Sequence, residues 1–189
     1  KEVVRDFIHA RSEKEIIYTR NTSESLNLVA RSYGETHLKA GDHILITIAE
    51  HHSNLVTWQR VAQKTGATLD YIYVDKETGH FPEEELKKID DPRVKLFAFA
   101  EVSNVLGIDF DPKPLIQRAH AHGAIVVLDG AQSTPHKPVD VQDLDCDFFA
   151  FSGHKMCSMG GIGVLYGKEE LLNDMEPFLM GGDMIEDVH

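Results

Sequence analysis

Cysteine is scarce in this chain, and the two that occur build nothing together. Cys146 and Cys157 form no C-x-x-C pair and fall at no metal-ligand spacing. They offer no disulfide framework, and such sparing use suits a reducing compartment, here expected to be the cytoplasm. Positive charge is short as well: 19 Lys and Arg stand against 31 Asp and Glu, a formal net charge of -12. A nucleic-acid partner requires a basic face to neutralise phosphates, so none is expected. Long apolar runs are missing too. No stretch approaches the ~18 residues of a membrane span and no signal peptide opens the chain, so no membrane partner is expected. Repeats, low-complexity tracts and linkers are also absent, which leaves a single domain over residues 1–189. The first residue is Lys1 rather than Met, inside a helical pattern with Val3, Val4, Phe7 and Ile8 on one face. The sequence reads as a piece of a longer polypeptide.

What is present is a core. Hydrophobic residues make up 42% of the chain, enough for a real interior. They come as short apolar runs alternating with helical patterns. Strands are expected at Ile16–Thr19, Ile44–Ile48, Leu69–Val74, Val94–Ala100, Ala124–Leu128, Asp147–Phe151 and Ile162–Tyr166. Helices are expected through Leu26, Val29 and Ala30, from about Asn54 to Lys64, from Pro82, from Pro114 to His122, and from Lys168 to Met175. The strands are near-continuous apolar runs, the pattern of a largely parallel sheet covered by helices on both faces. The last two lie too close in sequence for a helical crossover, which predicts one antiparallel pairing. The expected fold is α/β: a three-layer α/β/α domain of about seven strands, mostly parallel, with one antiparallel strand.

Ligands of such a sheet sit at the carboxyl ends of its strands. After the first strand comes Asn21-Thr22-Ser23-Glu24, where Thr22 or Ser23 is a natural N-cap. The same helix start, with free N–H groups and two hydroxyls, also suits a phosphate. After the second comes Glu50-His51-His52-Ser53-Asn54; adjacent histidines point in different directions, a poor metal pair, but one imidazole can lie flat on an aromatic ligand. After the fourth, Asn104 either stabilises its own turn or bonds a ligand's ring substituent or carboxylate. After the fifth, Asp129 closes an apolar run and is desolvated unless a cation pairs with it; no second carboxylate stands at a spacing for a metal. A protonated pyridine nitrogen is such a cation. Then Ser152-Gly153-His154-Lys155 leaves the sixth strand. An ordinary loop lysine fits that tetrapeptide, and so does a desolvated amine nucleophile for Schiff-base chemistry. Together these strand ends supply an amine, an acid for a ring nitrogen, a flat imidazole, a phosphate-binding helix start, and Asn104 and Gln132 for ring contacts. That set matches the needs of pyridoxal 5'-phosphate.

Several segments resemble the SufS-type cysteine desulfurases, members of the fold-type I, class V aminotransferase-like enzymes. They are Glu50-His51-His52-Ser53-Asn54, Val102-Ser103-Asn104-Val105-Leu106-Gly107, Leu128-Asp129-Gly130-Ala131-Gln132-Ser133 and Pro138-Val139-Asp140-Val141. Asp145-Cys146-Asp147-Phe148, Phe151-Ser152-Gly153-His154-Lys155 and Gly181-Gly182-Asp183-Met184-Ile185 continue the likeness in order. The resemblance implies that Lys155 carries the cofactor and shuttles protons, that Asp129 pairs with the pyridinium nitrogen, and that Gln132 contacts the ring hydroxyl. It implies that His51 stacks on the ring and acts in proton transfer, with Asn104 beside the substrate carboxylate and Ala131 in the cofactor site. Thr22, Ser23, Ser152 and His154 are implied to hold the phosphate. The implied reaction takes sulfur from L-cysteine, leaving L-alanine and an enzyme persulfide for iron–sulfur cluster assembly. The implied partners are a sulfur acceptor of the SufE/SufU type and a second copy of the parent.

The likeness also has gaps. The family's persulfide cysteine and its carboxylate-binding arginine lie beyond residue 189, and neither Cys146 nor Cys157 matches that cysteine. Cys157-Ser158-Met159-Gly160-Gly161 stands where the family continues with Tyr/Leu-Gly-Pro-Thr-Gly, which changes the φ values open to the lysine turn. Glu101 stands where the family often has His and adds a negative charge near the site. The fragment alone is expected at most to bind the cofactor. A kynureninase or aminotransferase of the same class, or a scaffold without cofactor, is the alternative.

Overall fold

The computed structural model describes residues 1–181; Gly182, Asp183, Met184 and Ile185 of the last motif lie outside the described residues. Seven strands form one sheet: β1 (Ile16–Thr19), β2 (His43–Thr47), β3 (Thr68–Ile72), β4 (Val94–Ala100), β5 (Ile125–Asp129), β6 (Phe148–Ser152) and β7 (Gly163–Gly167). Their order is β1-β7-β6-β5-β4-β2-β3. Pairings among β6, β5, β4, β2 and β3 are parallel. One strand, β7, runs the other way, but it makes two antiparallel pairings rather than the one expected. It returns from the short turn after β6 and lies between β6 and β1.

Alternation along each strand explains why the strands read as unbroken apolar runs. Phe97, Phe99, Val126, Leu128, Phe149 and Phe151 point into one core, while Leu96, Ala98, Val127, Phe148 and Ala150 point into the other. The first core is closed by the helix Pro112–Ala121 through Leu115, Ile116 and Ala119, and by Val141. The second is closed by the helix Thr22–Val29 through Leu26 and Val29, and by the helix Val56–Thr65 through Trp58 and Val61. Emptying one of these sites, for example Phe149→Ala, costs about 3–5 kcal/mol.

Local differences from the sequence reading have local causes. The first helix spans Glu2–Phe7, but Val3 is 81% exposed and Phe7 47% exposed, while Ile8 just past its end is fully buried. Pro82 precedes only one helical turn, Glu83–Leu86, which tightens over Lys87–Asp90. The helix expected from Pro114 begins at Pro112, because Asp111 caps it at Lys113 N and a proline is tolerated in the first turn. No helix among the described residues is long and apolar enough to cross a membrane.

Candidate active site

Because β1, β2, β4, β5 and β6 share one direction, their carboxyl ends lie along one edge of the sheet. A cavity of about 210 Å³ opens there, lined by Thr22 and Ser23 after β1, His51 after β2, Asn104 after β4, Asp129, Ala131 and Gln132 from β5, and Ser152, His154 and Lys155 from β6. All ten residues singled out in the sequence therefore face one space.

The helix start after β1 differs from the expectation in one respect. The N-cap is Asn21, whose Oδ1 accepts from Glu24 N at 2.9 Å, not Thr22 or Ser23. An amide that serves the third helical N–H leaves both following hydroxyls free for other work. Thr22 turns inward: its N–H donates to Ser152 Oγ at 2.7 Å, and the two hydroxyls lie 2.6 Å apart. Ser23 stays exposed, and its hydroxyl makes no hydrogen bond among the described residues. Strand β7 passes so close that a Cβ on Gly163 would lie 2.5 Å from Asn21 Cα, which fixes the helix start against the sheet. The result is a helix N-terminus with hydroxyls from two strand ends beside it, a suitable cradle for an anion.

Asp129 closes β5 and is 4% exposed. Its Oδ1 accepts from Ala131 N at 2.9 Å, and its other oxygen has no hydrogen bond among the described residues. Burial raises its pKa; the Ala131 N–H and the nearby charge of Lys155 pull the other way without cancelling it. A buried acid open to a cavity on one oxygen suits a cationic partner. The turn that follows is fixed by packing: a Cβ on Gly130 would sit 2.1 Å from the Phe149 ring.

The imidazole of His51 caps the turn His52–Asn54. Its Nδ1 accepts from Ser53 N at 3.1 Å and lies 2.6 Å from Ser53 Oγ. A backbone N–H can only donate, so the lone pair is on Nδ1 and the neutral ring carries its proton on Nε2. The His52 ring is set at 73° to it. Ser53 was not foreseen as a site residue; its signal is a hydroxyl two positions past the histidine, where a capping turn closes. Asn21 was missed in the same way, although an Asn before two hydroxyl residues is a strong N-cap.

Lys155 lies in the tight turn Gly153–Met156 and is half-buried, with no hydrogen bond or ion pair among the described residues. The altered sequence after it still closes: Ser158 N donates to Gly153 O at 3.1 Å and Gly153 N to Ile162 O at 2.9 Å. The change appears in Cys157, which adopts φ 59°. Glu101 does not add uncompensated charge to the site, because its carboxylate pairs with Lys137 Nζ at 2.6 Å. Cys146 is fully buried and burial pushes its thiol pKa well up, which makes it a poor nucleophile. Cys157 is exposed.

The sequence model for aminotransferase class-V matches residues 1–189. A probable cysteine desulfurase of Halalkalibacterium halodurans is 53% identical over 186 residues, 98% of this chain and 46% of the relative. A cysteine desulfurase of Haloferax volcanii is 48% identical over 186 residues, 98% of this chain and 43% of the relative. Among solved structures, the cysteine desulfurase CsdA of Escherichia coli superposes with a TM-score of 0.94 at 44% identity, over 100% of this chain and 47% of that one. The cysteine desulfurase of Thermococcus onnurineus gives a TM-score of 0.91 at 46% identity, over 100% of this chain and 46% of that one. The chain thus spans about half the length of the curated relatives it matches. With a family match along its whole length and a shared sheet, the chain belongs to the class V aminotransferase family.

Proposed function

We propose that this chain is the pyridoxal 5'-phosphate-binding large domain of a SufS-type cysteine desulfurase. The longer protein would act on L-cysteine as a homodimer in the cytoplasm and pass sulfur to an acceptor of the SufE/SufU type for iron–sulfur cluster assembly. The observation that carries this reading is the pair Asp129 and Lys155, an acid and an amine facing one cavity from the ends of neighbouring strands. The cysteine desulfurases among its relatives support the substrate.

The residues fit the cofactor on physical grounds. Asp129 is a buried carboxylate that gains from a cation at its free oxygen, and the cradle of Ser23, Thr22, Ser152 and His154 suits a phosphate. When bound, the cofactor supplies an electron sink for bonds at the substrate's α and β carbons. Lys155 would supply the amine that holds the cofactor's aldehyde and, as a free amine, would move a proton in the same site. His51 would cover the ring and present a proton at Nε2, its orientation set by Ser53. Gln132 and Asn104 line the same cavity and would provide amides to the ring and to the substrate carboxylate. By the resemblance, the thiol that takes the sulfur would lie beyond this chain, since neither the buried Cys146 nor the exposed Cys157 matches its position.

Incubating the longer protein with L-cysteine tests the assignment. L-Alanine formed in step with protein-bound persulfide supports it. Transamination, or cleavage of a kynurenine side chain with no action on cysteine, would move the protein to another branch of the class.

A further inference from the structure

Two loops must hold their positions for this cavity to keep its shape: the one after β4, which carries Asn104, and the one after β5, which carries Asp129 and Gln132. The first is a narrow excursion. Phe110 N donates to Glu101 O at 2.8 Å, Ser103 N to Ile108 O at 3.0 Å and Gly107 N to Ser103 O at 2.9 Å, with a bridge between Val102 and Asp109. Its tip is exposed, with Val105 at 75%. Ser103 ties it inward through Oγ to Ala49 O at 3.0 Å, and Glu101 N donates to Asp129 O at 3.1 Å. The second loop is stiff: Thr134 N and Lys137 N donate at 3.0 Å to Gly130 O and Ser133 O, so Lys137 is carried on the same coil as Asp129.

Lys137 joins the two through side chains. Its Nζ lies 2.6 Å from Glu101 Oε1 at one stem of the Asn104 loop and 2.9 Å from both Asp109 oxygens at the other. Glu101 is 3% exposed, and its Oε2 is buried without a hydrogen-bond partner, so Lys137 is the cation that compensates it. We propose that Lys137 is a positioning residue, its ammonium clamping both stems of the Asn104 loop to the turn that bears Asp129 and Gln132. Burial alone would lower the Lys137 pKa, but Asp109 and Glu101 more than offset it, so the clamp stays charged. The clamp stands on its own geometry; its consequence for ligand binding rests on the cofactor reading of the cavity.

The double variant Lys137→Met/Glu101→Gln removes both members of the buried pair and avoids stranding a lone carboxylate, which Lys137→Met alone would do. With the clamp gone, hydrogen exchange at the amides of Ser103, Gly107 and Phe110 in the cofactor-free chain is expected to speed up about tenfold or more, while β5 and β6 amides keep their protection. The dissociation constant for pyridoxal phosphate is expected to rise about fivefold, with competition by inorganic phosphate unchanged because the phosphate cradle lies elsewhere. Lys137→Arg, which keeps the charge, restores both readings toward those of the unsubstituted chain. Loop amides as protected in the double variant as in the original chain would overturn the clamp. So would a parallel loss of phosphate competition, the mark of general loosening. If the unsubstituted chain shows no Lys155-dependent cofactor binding, the cofactor reading fails instead, and the exchange rates still decide the clamp.

Discussion

The hydroxyls of Thr22 and Ser152, 130 positions apart in sequence, lie 2.6 Å from each other in the buried floor of the cavity. This contact joins the helix start after β1 to the carboxyl end of β6, and Ser152 Oγ also takes the Thr22 N–H. One oxygen therefore satisfies two buried groups. Ser152→Ala leaves both short of a partner and is expected to cost about 1–3 kcal/mol in urea unfolding. An unchanged midpoint would show that the contact is dispensable.

Cys157 sits at φ 59° in the turn that carries Lys155. A side chain there costs roughly 1–2 kcal/mol that glycine avoids, part of which glycine returns through the entropy of its unfolded state. Cys157→Gly is expected to raise stability by about 1 kcal/mol in denaturant titration with an unchanged slope. A lower midpoint would mean that the thiol packs usefully.

Behind the cavity, Trp58 Nε1 donates to Asn54 Oδ1 at 2.8 Å, Asn54 Nδ2 donates to Glu50 Oε2 at 2.6 Å, and Ala100 N donates to Glu50 Oε1 at 2.9 Å. Burial pushes the Glu50 pKa up to about 8, against the pull of its hydrogen bonds from Thr47, Asn54 and Ala100. A folded-state pKa above the unfolded value of ~4.3 means stability that is full below that value and is lost as pH rises toward about 8. Trp58 is the chain's one tryptophan, so its emission is expected to titrate with a midpoint of about 8. Glu50→Gln should abolish the transition. Emission that is flat across that region in the original chain would contradict the chain of contacts.

At the opposite edge of the sheet, His120 Nε2 lies 2.7 Å from Asp147 Oδ2, and Lys168 Nζ lies 2.9 Å from Asp147 Oδ1. The hydrogen bond to Asp147 raises the His120 pKa; burial opposes the Asp147 charge, yet His120, Lys168 and the Val126 N–H hold that carboxyl below its usual range. The His120 contribution is full below ~6.5 and is lost as pH rises through its raised value; the Asp147 contribution is full above ~3.9 and is lost as pH falls through its lowered value. Stability from this pair is expected to be greatest between those limits. His120→Gln should flatten the alkaline fall in unfolding free energy, and an unaltered profile would rule the pair out as its source.

The sequence carried the faces of the sheet but not its neighbours. Runs such as Val126-Val127-Leu128 report burial on both sides, and strand ends shift by only a residue or two because the apolar run and the hydrogen-bonded ladder need not coincide. Nothing local to Gly163–Gly167 says that it inserts between β6 and β1; that is set by the short return from Lys155 and by β1 arriving from far away in sequence. The ten cavity residues were legible because each ends or follows a strand, where chemistry is concentrated. Asn21 and Ser53 were not, since a capping role depends on which N–H the folded turn presents. Lys137 was invisible for another reason: its partners Glu101 and Asp109 are brought to it only by the loop's folding back on itself.

The central claim is that this chain holds pyridoxal phosphate through Lys155. Mixing the chain with the cofactor, reducing with borohydride and mapping the labelled peptides tests it most directly. The account predicts one dominant label on Lys155, accompanied by a visible absorption band that Lys155→Ala abolishes and inorganic phosphate suppresses. Label spread over exposed lysines, with the same spectrum in Lys155→Ala, would contradict it.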